Sequence, residues 1–219
     1  MKNLVKFSFV ASLLVASSLN AHKGAFVGVE GIYSKTSSDI SIHPEKNHLG
    51  NNQKVKFSKS TPGFGIKGGY NFGDFRAYGG YEYLFKAKNS KNGKTSKATT
   101  HNLYIGFDYT PEITNDLKAV VGAYTGTSII SDKLNNDASN GGGDGVSHSE
   151  TYSISYSGTG WLIGTKLGLE YIVADHHGLE FGVKYDYAYF KNHKDKSGNY
   201  INSIKNRNLK PYLSYSFYF

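Results

Sequence analysis

His148-Ser149-Glu150 and His176-His177 set possible nucleophiles, bases or metal ligands side by side in this 219-residue chain, and His101 stands alone. His148-Ser149-Glu150 supplies an imidazole, a hydroxyl and a carboxylate in a row. Nucleophilic catalysis needs such groups within hydrogen-bond reach of one another. In a strand His148 and Ser149 would point to opposite faces. The run also adjoins the polar, glycine-rich stretch 135–145, whose composition reads as a loop tip, so the three residues read as loop composition. His101 sits among strand-forming residues with no serine near it on the same face. His176-His177 falls in a turn, and two adjacent histidines do not make a metal site. Gly141-Gly142-Gly143 lacks the strand–turn–helix setting of a phosphate loop. Cysteine is absent, which excludes disulfides, zinc-thiolate sites and thiol nucleophiles. The expectation is therefore no catalytic set, no metal, no cofactor and no enzyme.

The remaining chemistry lies in charged residues, and their meaning depends on the elements that hold them. The chain opens with Lys2 and Lys6, continues through the apolar run 7–16 and reaches the small residue Ala21. A basic start, a short apolar run and a small residue are the parts of a secretory leader. The run is shorter than the ~20 residues of a membrane-spanning helix. Residues 1–21 are expected to be a cleaved signal peptide, and 22–219 the exported domain. Export removes the nucleic-acid implication of the formal charge of +8.

Beyond the leader the pattern has a period of two. In 63–72, Phe64, Ile66, Tyr70 and Phe72 share one parity; Gly63, Gly65, Lys67, Gly69 and Asn71 share the other. This is a strand with one apolar and one polar, glycine-rich face. The alternation recurs in 75–85, 103–109, 161–171, 179–189 and 209–219, and less cleanly in 25–33 and 117–127. That makes eight strands. Short connections (73–74, 111–116, 174–177) alternate with longer polar ones (34–60, 88–97, 131–156, 192–206), as in an up-and-down meander. Two flanks, 55–57 and 152–156, alternate in the opposite parity to the strand that follows. They require a bulge or break near Pro62 and near 158–160, or else strands that continue beyond a membrane.

Charge and glycine indicate which face is outside. The apolar parity of the six clearest strands holds no Asp, Glu, Lys or Arg. A Lys or Arg facing the middle of a bilayer would cost ~2–4 kcal/mol. The polar parity carries Gly65, Gly69, Gly80, Gly106, Gly164, Gly168 and Gly182, a poor choice for a solvated strand face. It also carries six basic residues, Lys67, Arg76, Lys118, Lys166, Lys184 and Lys210, and six acidic ones, Glu30, Glu82, Asp108, Glu170, Glu180 and Asp186. Buried charges must be paired, so this balance marks the interior of a narrow closed barrel. Pairs such as Lys166/Glu170 or Glu180/Lys184 would form a salt-bridge plug or line a narrow conduit; the plug suits an eight-stranded lumen better.

Three passages carry a family resemblance: the start 24–31 (GAFVGVEG), the hairpin 69–76 (GYNFGDFR) and the end 213–219 (LSYSFYF). They resemble the small OmpA/OmpX-type eight-stranded outer-membrane barrels of Gram-negative bacteria. The resemblance implies an all-β, eight-stranded antiparallel up-and-down transmembrane barrel, integral to the outer membrane. It also implies that Tyr215, Phe217 and Phe219 on the last strand are the signal read by the barrel-assembly machinery. No peptidoglycan-binding segment follows in this sequence, so cell-wall anchoring is not expected. A structural or surface-interaction role leads. The alternatives are a lipid A-modifying enzyme and a small porin-like channel.

The basic excess then has a place. Outside the leader, the interior set and the short turns with Lys23, sixteen Lys/Arg stand against seven Asp/Glu in and beside the long connections. The end expected to face outward is therefore positive, and Lys88, Lys91, Lys94 and Lys97 form a basic loop there. Its expected partners are outer-membrane lipid, lipopolysaccharide and host surfaces, met by a monomer.

Overall fold

The computed structural model describes residues 23–42, 53–91, 94–136, 153–194 and 200–219. They form eight strands: β1 Lys23–Ile42, β2 Gln53–Phe72, β3 Phe75–Lys91, β4 Lys94–Tyr109, β5 Leu117–Asn136, β6 Ser153–Val173, β7 His177–Lys194 and β8 Tyr200–Tyr218. Each is antiparallel to its sequence neighbours, and β8 closes on β1 to complete a barrel. All eight alternating segments lie within these strands, the two weaker ones in β1 and β5.

Closure fixes a stagger. Stepping between paired residues from Phe26 through Gly69, Tyr78, Gly106, Tyr124, Gly164, Asp186 and Asn208 returns to Thr36, ten residues farther along β1. The strands are therefore tilted, and residues that meet across the lumen lie at different depths in their own strands.

The outer face is apolar. Leu103, Ile105, Trp161, Leu167 and Leu213 are each more than 60% exposed on it. Outward positions of 25–33, 62–72, 75–85, 101–109, 117–131, 157–173, 177–189 and 209–219 carry no Asp, Glu, Lys or Arg. Water would not tolerate so large an exposed apolar band, whereas hydrocarbon requires it. Phe72, Phe75, Tyr109, Tyr171 and Phe219 stand near the short-turn end. Tyr33, Tyr83, Phe85, Trp161 and Tyr187 stand toward the other, so aromatic rings border the band on both sides.

One expectation about the connections is corrected. Much of each long connection's flanks is strand, because the strands run to 16–21 residues. About 9–11 tilted residues cross a bilayer, so the excess projects beyond the apolar band at the long-connection end. The opposite-parity flanks belong to these projections. No bulge occurs near Pro62 or 158–160: the β1–β2 and β5–β6 ladders run through both places without a shift. The register irregularities lie at Leu84/Ala87 and Ser41/Ile42.

What happens near Pro62 and Gly160 is a parting of strands. The β2–β3 ladder ends at Gly63–Leu84, and the β6–β7 ladder ends at Trp161–Tyr189. The first β2 residue beyond the last pair is Pro62, which has no N–H to donate. Beyond these points the wall divides into one sheet of β7, β8, β1 and β2 and another of β3, β4, β5 and β6.

Candidate functional site: the charged lumen

All twelve charged residues of the polar parity point into the lumen and are buried, each 5% exposed or less. Strand alternation alone puts them there. Their partners follow from closure, and they fall into two networks and one outlying pair.

Arg76 organises the network nearer the short turns. Its Nε and Nη2 donate to Asp108 Oδ2 at 3.2 and 3.0 Å, and Nη1 donates to Glu170 Oε1 and Oε2 at 2.9 and 3.1 Å. Nη2 also reaches Glu180 Oε2 at 3.0 Å, and Nη1 reaches the Tyr218 hydroxyl oxygen at 2.8 Å. Lys166 bridges Asp108 and Glu180 at 2.8 and 3.1 Å, and Lys67 joins Glu180 at 2.9 Å. Three cations thus balance three carboxylates.

The second network lies nearer the open end. Lys184 Nζ sits between Glu30 and Glu82 at 2.5 and 2.9 Å; Lys210 Nζ sits between Glu82 and Asp186 at 2.8 and 2.5 Å. Two lysines face three carboxylates here, and neutral donors take up the excess. Tyr104 Oη donates to Glu30, Tyr124 Oη and Asn208 Nδ2 to Asp186, and Asn102 Nδ2 to Glu82. Lys118 belongs to neither network and pairs with Glu112 of the β4–β5 turn at 3.3 Å.

These partners correct the expected pairs. Lys166 bonds Asp108 and Glu180, not Glu170; Lys184 bonds Glu30 and Glu82, not Glu180. Residues four apart on a strand are separated by about 13 Å, beyond ion-pair reach. The pairs therefore cross the lumen between strands instead of running along them.

Aromatic rings inside the barrel had no place in the sequence reading. Tyr78 faces Gly69 and Gly106 across its two ladders; Tyr104 faces Gly80 and Gly126; Tyr124 faces Gly106 and Gly164. A Cβ added at Gly106 would lie 2.4 Å from the Tyr78 ring, and one at Gly164 2.4 Å from the Tyr124 ring. Gly65 and Gly122 leave comparable room for Glu30 and Asp108. The lumen glycines are seats for tyrosines as much as for charges. The signal for this was present in the sequence: tyrosines sharing the parity of the glycines.

The other candidates are located as follows. His101 lies on the outer face, its Nδ1 2.6 Å from Tyr81 Oη and its ring 4.9 Å from that of Tyr83. His177 Nδ1 is 2.6 Å from Tyr215 Oη, and His176 Nδ1 is 3.1 Å from the Tyr218 carbonyl oxygen. Among the described residues no cluster of three or more His, Asp or Glu is arranged for a metal ion. The run 148–150 and the glycine-rich residues 137–145 lie outside the described residues. Tyr215, Phe217 and Phe219 occupy outward positions at the end of the chain, the last two rings 5.2 Å apart. The expected loop 88–97 is corrected to a hairpin: Lys88 pairs with Lys97, and Lys91 with Lys94, at the ends of β3 and β4.

The sequence profile of the outer-membrane protein β-barrel domain matches residues 8–217, nearly the whole chain. The chain belongs to that family. This outer-membrane β-barrel is thus an integral protein of the Gram-negative outer membrane, in agreement with its apolar exterior. Solved structures share the fold. Outer membrane protein AlkL in DMPC bilayers is 16% identical, with a TM-score of 0.54 and coverage of 93% of this chain and 94% of that one. Neisserial surface protein A is 17% identical, with a TM-score of 0.52 and coverage of 89% and 97%. Ail of Yersinia pestis, in complex with the heparin analogue sucrose octasulfate, is 15% identical, with a TM-score of 0.51 and coverage of 88% and 99%. No curated protein matches the sequence.

Proposed function

We propose that this barrel is a non-enzymatic surface protein. Its lumen is plugged by the two ion-pair networks, and its projecting basic end holds lipopolysaccharide phosphates or an anionic host surface. The observation that carries the reading is the distribution of charge. The lumen nearly balances its own charges, and the apolar outer band carries none. The positive excess therefore collects at the long-connection end, where outer-leaflet phosphates are the nearest anions. Ail, which shares the fold, binds a polyanionic heparin analogue in its structure, the ligand class a basic outer end would take.

The plug suits an eight-stranded barrel, whose interior is just wide enough for side chains to fill. Arg76 of β3 reaches carboxylates on β4, β6 and β7, and Lys184 of β7 reaches carboxylates on β1 and β3, so the braces span the lumen.

The test uses the refolded barrel in planar bilayers and in vesicles containing lipopolysaccharide. The expected results are no stepwise conductance, no change in the mass of co-incubated lipid A, and binding that weakens as salt rises. Neutralising Lys88, Lys91, Lys94 and Lys97 to Gln is expected to lower that binding. Stepwise conductance would replace the plug by a pore, and a shifted lipid A mass would replace the surface role by an enzyme.

A further inference from the structure

We propose that the outward face of β8 and β1, just above the apolar band, holds one phosphate of an outer-leaflet glycolipid, with Arg207 at the centre and Lys35 and Lys205 beside it. The proposal rests on the anionic-surface reading and names the residues that serve it.

The apolar band ends at Tyr33 on β1 and at Leu209 on β8. The next outward positions are Lys35 on β1 and Arg207 and Lys205 on β8. Strand alternation turns them to the same face as the band. All three are exposed, and the Arg207 side chain is 55% exposed. The β1–β8 ladder sets Arg207 opposite Ser37, Lys205 opposite Asp39 and Leu209 opposite Lys35. Lys35 is therefore the diagonal neighbour of Arg207, about 7–8 Å away across the ladder. Lys205 stands about 7 Å from Arg207 along its own strand. Long basic side chains at these spacings converge on one phosphate, and the guanidinium fork binds two of its oxygens at once.

Among the described residues, Asp39 is the carboxylate that opposes them. Its Oδ2 is 3.7 Å from Arg207 Nη2, longer than a hydrogen bond. Three cations against one carboxylate leave the patch with an excess of positive charge.

Two features set its depth. Below it, Leu209 and Tyr33 are 47% and 53% exposed on the lipid side. Beside it, Tyr187 of β7 faces Arg207 and Tyr189 faces Lys205, both half-buried. Tyrosine rings at this level mark the boundary between acyl chains and headgroups. Hydrocarbon thus begins one residue pair below the cations, so the anion that fits here is one carried by a lipid.

The margin of the band elsewhere makes the contrast. On β2, β5 and β6 its outward positions are Ser60, Ser131 and Ser157, all exposed and uncharged. Evenly spread charge would draw anions diffusely, whereas a basic sector beside neutral margins selects one place.

The experiment measures binding of bisphosphorylated lipid A by the full-length barrel, refolded in neutral phosphatidylcholine nanodiscs. One variant carries Lys35→Gln, Lys205→Gln and Arg207→Gln. A matched variant carries Lys88→Gln, Lys91→Gln and Lys94→Gln, the same loss of charge on the β3–β4 hairpin. A third carries Asp39→Asn. Folding of each is checked by the gel shift between unboiled and boiled samples. The patch variant is expected to bind at least tenfold more weakly than the parent, and the hairpin variant within threefold of it. Asp39→Asn removes the carboxylate that competes with phosphate for Arg207, so it is expected to bind at least threefold more tightly. The parent is expected to bind lipid A more tightly than the deacylated, still phosphorylated sugar. Equal losses in the patch and hairpin variants would overturn the β8–β1 site while leaving a diffuse basic surface. No tightening with Asp39→Asn would overturn Arg207 as the centre of the site. Equal affinity of the parent for lipid A and the deacylated sugar would overturn the membrane source of the ligand. No binding by the parent would overturn this site and the anionic-surface reading together.

Discussion

The Tyr104 ring lies over Gly80, its partner across the β3–β4 ladder: a Cβ at residue 80 would fall 2.5 Å from Cζ of that ring. The neighbouring Gly79 points the other way, and a Cβ there first meets the Tyr104 carbonyl oxygen at 3.9 Å. Two adjacent glycines thus have opposite constraints. Gly80→Ala is expected to cost ~1–3 kcal/mol by overpacking. Gly79→Ala adds a methyl on the lipid side and is expected to be neutral or slightly stabilising. Urea unfolding in lipid vesicles gives both values, and the Gly80 cost should fall in a Tyr104→Ala background. Equal effects at the two positions would refute the seating of the ring.

Arg76 holds three carboxylates through a planar fork. Arg76→Met leaves Asp108 and Glu180 to Lys166 and Lys67 and leaves Glu170 with the Tyr218 hydroxyl but no cation, and removing one partner from a buried pair costs about 3–5 kcal/mol. Arg76→Lys restores the charge but not the bidentate geometry, so it should recover only part of the loss. Full recovery by lysine, measured by equilibrium unfolding, would show that charge alone matters at this position.

Lys184 and Lys118 are both buried lysines, yet their partners differ. Those of Lys184 are Glu30 and Glu82, both buried, whereas Lys118 pairs with Glu112, whose side chain is 51% exposed. Lys184→Met leaves Glu30 with the Tyr104 hydroxyl but no lysine, while Glu82 keeps Lys210, and should destabilise by about 3–5 kcal/mol. Lys118→Met leaves Glu112 free to hydrate, so its cost should stay below about 1 kcal/mol. The same unfolding assay compares them.

Phe219 ends the chain, and its backbone N–H donates to the Ala25 carbonyl at 2.9 Å. Phe219→Ala keeps that bond and removes only the ring. If the terminal ring serves recognition by the assembly machinery, this variant should refold in vitro with near-parental stability but reach the outer membrane of cells in reduced amount. Quantitative blotting of membrane fractions, set against in-vitro unfolding, separates the two effects. Normal membrane levels would remove the assembly role of the ring.

Strand alternation was readable because it is local. Glu30 and Lys118, in the two least regular segments, could still be assigned to the inner face from their parity with better-defined neighbours, and both are buried. The inward tyrosines were hard to single out for a related reason. Tyr78 and Tyr104 have the strand propensity and amphipathic rings expected at a membrane boundary, so only their parity separated them from Tyr81 and Tyr83 on the outside. The ends of the strands were not readable at all. Once a strand leaves the hydrocarbon, polar residues serve either a loop or a solvated sheet, and 34–42 or 131–136 fit both.

By itself the sequence determined the eight strands, which residues face lipid and which face the lumen, and the near-neutrality of the inner set. Each of these depends on a repeat of two residues, which the chain displays without reference to its neighbours. Only the tertiary structure decided which charges meet, which glycines lie under which tyrosines, and where β2 leaves β3. Those relationships depend on closure of the barrel with a stagger of ten residues, which brings Lys184 to Glu30 across 154 positions of chain. No local pattern encodes a distance of that kind.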